Sequence, residues 1–173
     1  MAPSFLSDLI KRQRTEADNY QEDVILNVEI KYADGLDPDN MGPNAEMRTY
    51  QVIGWTETGA EFATPVVEGL PTGAEFATRV VEGLPDPQWR RIFSMRLRRN
   101  TRYLYLEVFR TGSKFEGTSK RRVSVGRTRV LLPTVANKTK GGRLGLVRSK
   151  GLGIVAEGHI QVAVEITKRE RYW

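Results

Sequence analysis

The stretch VILNVEIKY, Val24–Tyr32, places Val24, Leu26, Val28 and Ile30 on one side of an extended chain and Asn27, Glu29 and Lys31 on the other. HIQVAVEIT, His159–Thr167, does the same with Ile160, Val162, Val164 and Ile166 against Gln161 and Glu165. WRRIFSMRLRR, Trp89–Arg99, sets Trp89, Phe93, Met95 and Leu97 opposite Arg90, Ser94, Arg96 and Arg98. In YLYLEVF, Tyr103–Phe109, Leu104, Leu106 and Val108 oppose Tyr103, Tyr105 and Glu107. A period of two with one apolar side is the mark of antiparallel strands that bury one face. Further strands are expected at Tyr50–Trp55, Phe76–Val81, Val123–Leu132 and Leu144–Val147. In Val123–Leu132 the inward set slips at Gly126, which predicts a bulge. About eight short strands with turn signals between them predict an all-β, eight-stranded antiparallel β-sandwich.

At 173 residues the chain suits one domain, long enough to fold without covalent staples. It has no cysteine, which excludes disulfides and thiolate metal sites and fits a reducing compartment. No run approaches the ~20 apolar residues that span a bilayer, and the N-terminus lacks a secretory signal pattern. The expectation is a cytoplasmic protein that meets membranes only from the surface. Phe5, Leu6, Leu9 and Ile10 recur at helical spacing, ahead of Lys11, Arg12 and Arg14, and predict a short amphipathic N-terminal helix. The expected organisation is an extension over residues 1–23, a sandwich over 24–168 and a tail over 169–173. Within the sandwich a segment is duplicated: TGAEFATPVVEGLP at 58–71 recurs as TGAEFATRVVEGLP at 72–85. A sheet has one slot for that strand. Pro65 removes a backbone donor that Arg79 keeps, so the second copy is expected to fill the slot.

Charge is distributed unevenly. Between Arg90 and Arg129 thirteen basic residues face two acids, Glu107 and Glu116, an excess of +11 in a chain whose overall charge is +6. The rest of the chain therefore sums to −5. Such asymmetry points to an anionic partner for one surface.

The order of these pieces resembles a C2 domain, the calcium- and lipid-binding sandwich first described in protein kinase C. VEIKYADGL followed by LDPDNMGPNAEM (Val28–Met47) is similar to the first C2 strand and loop, with Leu36, Asp39, Asn40 and Gly42 near the family pattern. Arg79, Pro87, Trp89 and Phe93 match the segment that follows in the family, VSVGRTRVLL (Val123–Leu132) the late strand, and GHIQVAVEI (Gly158–Ile166) the last one. The resemblance spans about residues 24–167 and implies an eight-stranded sandwich. It also implies a non-enzymatic module for acidic phospholipid membranes and protein partners, acting in intracellular signalling at the plasma membrane. The small plant members imply a stress or defence setting.

The departures from the family pattern shape the expected chemistry. Calcium wants 6–8 oxygen ligands, mostly carboxylates from separate loops. The first loop offers Asp34, Asp37 and Asp39 as metal candidates. The late loop, FRTGSKFEGTSKRR (Phe109–Arg122), has Arg110 and Thr111 where the family carries acids. No cofactor is therefore expected, and calcium is disfavoured. The same loop offers Arg110, Lys114, Lys120, Arg121 and Arg122 to anionic headgroups, with Phe115 as a residue to insert at the interface. The resemblance adds the Arg90, Arg96 and Arg98 strand face, with Tyr103 and Tyr105, as a lipid-headgroup patch. The competing reading is a sheet-based nucleic-acid binder using that arginine face with Trp89, Tyr103 and Tyr105; it requires exposed rings, whereas the alternation places Trp89 in the core. No nucleophile–base pair or phosphate-binding loop is readable, and the lone His159 reads as structural.

Overall fold

A computed structural model describes residues 20–40, 43, 47–57, 76–83, 86–98, 100–111 and 122–168. Within them the chain forms nine strands: β1 (Tyr20–Asp34), β2 (Arg48–Thr56), β3 (Phe76–Ala77), β4 (Val81–Gly83), β5 (Gln88–Arg98), β6 (Tyr103–Thr111), β7 (Val123–Leu131), β8 (Thr139–Lys150) and β9 (Gly153–Lys168). The predicted N-terminal helix, the first copy of the duplication and the C-terminal tail lie outside the described residues.

Every pairing is antiparallel. The strands follow one path, β3-β2-β6-β7-β8-β9-β1-β5, with β4 also on β2. The path narrows at one point, because β7 and β8 share a single residue pair, Arg127–Val147. On one side of it lie β2, β3, β4, β6 and β7; on the other lie β1, β5, β8 and β9. The far ends of the path meet, since the Phe76 ring of β3 stacks on Phe93 of β5 with centroids 4.6 Å apart. The two halves thus face each other across one core, as a sandwich does.

The alternation read from the sequence is what fills that core. Leu26, Val28 and Ile30 of β1, Leu104, Leu106 and Val108 of β6, and Ile160, Val162 and Val164 of β9 are fully buried, with Trp89 among them. Burial of side chains this size is worth about 1.5–3 kcal/mol each, which drives the two sheets together. The β1 register shifts between Ile30 and Tyr32 against both neighbours, so the inward set passes to Ala33. At the predicted β7 slip, Val108 pairs with Gly126 but Phe109 with Ser124, leaving Val125 as the bulged residue. Gly126 is needed there: a Cβ would sit 2.6 Å from the Leu146 Cβ across the sandwich.

Two expectations change. The single strand over Phe76–Val81 is two short strands, β3 and β4, because Thr78 leaves the ladder to hydrogen-bond β2. Its Oγ1 accepts from the Val52 N–H at 2.9 Å, and its own N–H donates to the Val52 carbonyl at 2.8 Å. This gives nine strands instead of eight. The short strand expected at Leu144–Val147 is the middle of a longer one, β8, which runs Thr139–Lys150. Gly141 and Gly142 hold φ of +115° and +116° inside it, a region closed to other side chains, and a Cβ at Gly141 would strike the Val162 carbonyl oxygen at 2.3 Å.

Candidate functional site

The pairings bring several connections to one end of the sandwich. Arg48 opposite Gly83, Thr49 opposite Thr111, Arg110 opposite Val123 and Asp34 opposite His159 place the ends of β1, β4 and β6 together with the starts of β2 and β7. The segments 35–47, 84–87 and 112–122 all leave from this end, and so does the turn at Gly151–Leu152.

At its centre is Asp37, which has a left-handed φ of +47° and a side chain only 5% exposed. A carboxylate buried to this degree is tolerated only when its charge and lone pairs are answered. Three donors do so. The Tyr50 hydroxyl donates to Oδ2 at 2.7 Å, Arg110 Nη1 to Oδ1 at 2.8 Å, and Arg48 Nη1 lies 3.1 Å from Oδ2. The partners arrive from neighbouring strands because Tyr50 and Arg110 are paired across β2 and β6, with Arg48 two residues before Tyr50 on the same face. Burial, then the bond to Asp37, pushes the Tyr50 hydroxyl far above its usual range, so it stays a donor.

This cluster bears on both sets of candidate residues. Asp37 has both oxygens engaged by cations and a hydroxyl. Asp34 accepts from Arg143, at 2.8 Å from Nη2 and 3.3 Å from Nε, and Asp39 is exposed. The three aspartates therefore do not converge, and among the described residues no group of three or more His, Cys, Asp or Glu is arranged to hold a metal ion. Arg110, taken from the sequence as a group for headgroups, instead spends its guanidinium on Asp37. Arg122 stands just before β7, half-buried, with an Nη1 that finds no hydrogen-bond partner among the described residues. Lys114, Phe115, Lys120 and Arg121 lie outside the described residues.

The expected patch of β5 arginines with Tyr103 and Tyr105 does not form. Arg90 and Arg96 are exposed and Arg98 half-buried on β5, whose outer face is marked by Ser94 donating to Asn27 Oδ1 at 2.6 Å. Tyr103 and Tyr105 stand on the outer face of the other sheet. There Tyr105 stacks on Trp55 with centroids 5.9 Å apart, and the Arg129 guanidinium lies 4.6 Å over the Tyr103 ring. Strands β5 and β6 are consecutive in the chain but belong to opposite sheets, so their outward residues point to opposite sides of the molecule. Trp89 is 2% exposed, which removes it as a stacking platform.

Four residues that matter at this end were not singled out from the sequence: Arg48, Tyr50, Leu152 and Ile154. The alternation of Arg48 with Tyr50 carries a signal for the first two, since it puts an arginine in line with an inward tyrosine. Gly151–Leu152–Gly153 reads only as a turn.

No protein-family model and no curated protein sequence matches the chain. Solved structures do match. A plant extended synaptotagmin 1 C2A domain superposes with a TM-score of 0.55 at 15% identity, covering 87% of this chain and 99% of that one. A C2 domain-containing protein gives 0.51 at 18% identity, over 86% and 91% of the two chains. Human GIVD cytosolic phospholipase A2 gives 0.54 at 14% identity over 87% of this chain, but the match spans only 18% of that enzyme. These likenesses agree with the strand order and the shared core, and by its fold this chain is a C2-like domain.

Proposed function

We propose that the chain is a non-enzymatic, C2-type module that docks on acidic phospholipid membrane surfaces, and on protein partners, without calcium. The observation that carries this reading is Asp37 closed by Arg48, Arg110 and Tyr50. In a calcium-bridged module the ion neutralises loop carboxylates and lends its charge to the lipid. Here two guanidinium groups already supply the neutralising charge, so a cation has no open carboxylate to bind at this position.

The attraction to lipid then comes from basic side chains. Arg122 stands half-buried just before β7, and the sequence adds Lys114, Lys120 and Arg121 in the adjoining connection with Phe115 between them. Each basic residue near an anionic leaflet contributes about 1 kcal/mol, lost beyond a Debye length. Four of them give binding that is useful and steeply salt-dependent. No helix among the described residues is long and apolar enough to cross a membrane. On the docking reading the protein works in the cytoplasm, peripherally attached to the plasma membrane in a signalling role. The sequence resemblance suggests plant stress or defence as the setting.

The test is co-sedimentation with phosphatidylserine–phosphatidylcholine vesicles and with phosphatidylcholine vesicles alone, in chelator and in calcium, across a salt titration. Binding should need the acidic lipid, ignore chelator and fall with salt. Binding that appears only with calcium overturns the proposal. A second reading, nucleic-acid binding, is favoured by the Trp55–Tyr105 stack and by Arg129 over Tyr103. It predicts that a single-stranded oligonucleotide binds in the same salt range while vesicles of either composition do not.

A further inference from the structure

Among the described residues the β8–β9 hairpin ends as a two-stranded ribbon that no third strand pairs, its Val147, Ser149 and Ile154 bordering a groove with Glu107, Ser124 and Arg127. Its last pairing with β1 is at His159, and β8 meets β7 only at Val147. Beyond these points Arg148–Lys150 and Gly153–Val155 pair only with each other, closed by a two-residue turn with Gly151 at φ +61°. A bulge at Glu157–Gly158, opposite Leu146, marks where the ribbon leaves the body. Gly158 has φ +80° and packs against the Asp34 carbonyl, so the departure point is fixed by backbone contact.

The ribbon is amphipathic. Val147 pairs with Ala156 and Ser149 with Ile154, so these four share one face; Arg148 pairs with Val155 and Lys150 with Gly153 on the other. On the apolar face Val147 is 45% and Ile154 77% exposed, and Leu152 at the turn is 111% exposed, more than in an extended reference chain. Two large aliphatic side chains held this far into water on a ribbon that no third strand pairs among the described residues are unusual in a monomer. Residues 148–156 contain two basic residues and no acid. Arg148 and Lys150 share one carboxylate, Glu157, at 2.5 Å and 3.9 Å. The tip thus pairs a protruding apolar strip with an excess of positive charge, at the end of the sandwich from which the basic 112–122 segment also leaves.

We infer that this ribbon tip is an insertion element for an acidic lipid interface, with Leu152 and Ile154 entering among the acyl chains and Lys150 and Arg148 staying at headgroup level. The inference rests on the membrane-docking reading and adds to it a depth and an orientation: the ribbon points into the bilayer and the far end of the sandwich, at Val135, points away. An acidic bilayer suits this tip because it takes the aliphatic side chains and answers the cations together, with no shaped pocket required.

The chain has no cysteine, so a single introduced thiol reports one place. Leu152→Cys carrying an environment-sensitive dye is compared with Val135→Cys, 53% exposed at the opposite end, on phosphatidylserine–phosphatidylcholine vesicles with and without acyl-chain spin labels. The dye at 152 should shift to the blue and be quenched by the acyl-chain labels, while the dye at 135 stays aqueous. The unlabelled double variant Leu152→Ser, Ile154→Ser should bind these vesicles at least about tenfold more weakly with an unchanged unfolding midpoint. If the protein sediments with acidic vesicles while position 152 remains as aqueous as 135, the inference fails and the docking reading survives. If unlabelled protein does not sediment at all, both fail. A blue shift at 152 that needs no lipid and grows with protein concentration overturns the inference in favour of self-association through the ribbon.

Discussion

Replacing Asp37 by Asn tests the closed carboxylate directly. Asparagine keeps the size of the side chain and an oxygen for the Tyr50 hydroxyl, so what is removed is the charge that Arg48 and Arg110 face. Two unit charges about 4 Å apart attract by about 4 kcal/mol at the effective dielectric of a protein surface. Bringing the carboxylate out of water cancels several kcal/mol of that. The two arginines are 23% and 27% exposed, so water recovers part of their solvation once the acid is gone. The balance is a loss of about 2–3 kcal/mol, below the ~3–5 kcal/mol seen when one partner of a fully buried pair is deleted. In a domain of this size each kcal/mol moves the melting temperature by about 2–4 °C, so thermal unfolding should fall by roughly 5–10 °C. Urea titration should show a lower midpoint with an unchanged slope. Because the carboxylate is buried, salt should leave most of the difference intact. Adding Arg110→Gln to the Asn variant should cost much less than adding it to the native chain, since the two changes remove one shared contact. A destabilisation under about 0.5 kcal/mol, or one erased by salt, would show Asp37 to be an ordinary surface acid and remove the basis for calcium independence.

Tyr50→Phe should cost about 1.5–3 kcal/mol at neutral pH through the lost bond to a charged acceptor. The hydroxyl is raised in the fold by burial and then by Asp37, so its contribution is complete below the ordinary tyrosine value of about 10 and fades as pH climbs past it. The gap between native and Phe proteins in urea should therefore narrow above pH about 10, and a constant gap refutes the linkage. Deleting residues 58–71 shortens the connection between Glu57 and Phe76 from eighteen residues to four, about two halvings of a loop worth ~0.6 kcal/mol each. Its unfolding midpoint should hold or rise slightly; a loss above about 2 kcal/mol would show the first copy to be structural.

What the sequence disclosed and what it hid divide along a physical line. Alternation is local, and it placed Leu26, Val28, Ile30, Leu104, Val162 and Trp89 inside without knowledge of the topology. It also located the Gly126 bulge, because a slip in phase is itself a local signal. Which sheet a strand joins is not local. Arg96 and Tyr105 both read as outward, yet β5 pairs with β1 and β6 with β2 and β7, so the two stand on opposite faces. The basic excess of Arg90–Arg129 was legible as a number, but its described members divide among β5, β6 and β7. Arg110 was legible as a cation in place of an acid, while its engagement with Asp37, 73 residues away in sequence, could not be.

The duplication shows how a correct expectation can rest on the wrong contact. The second copy does pair with β2, through Phe76–Ala77 and Val81–Gly83. The reason offered by the sequence was that Pro65 would delete a ladder donor that Arg79 keeps. Arg79, however, is exposed in the gap between β3 and β4, where no strand pairing needs its N–H. A proline at that position removes nothing the ladder uses. The constraint lies at the other end of the repeat. Gly83 approaches Pro87 so closely that a Cβ would lie 2.8 Å from the proline nitrogen, and the Pro87 carbonyl then accepts from the Ala33 N–H of β1 at 3.1 Å. That short crossing carries the chain from one sheet to the other and starts β5 in register. Only a copy joined directly to Pro87 can make it. The equivalent glycine of the first copy, Gly69, is followed by Leu70, Pro71 and a second repeat, with the β5 sequence fourteen residues farther on. The order of the two copies along the chain, and not the single residue by which they differ, decides which of them makes this crossing into β5.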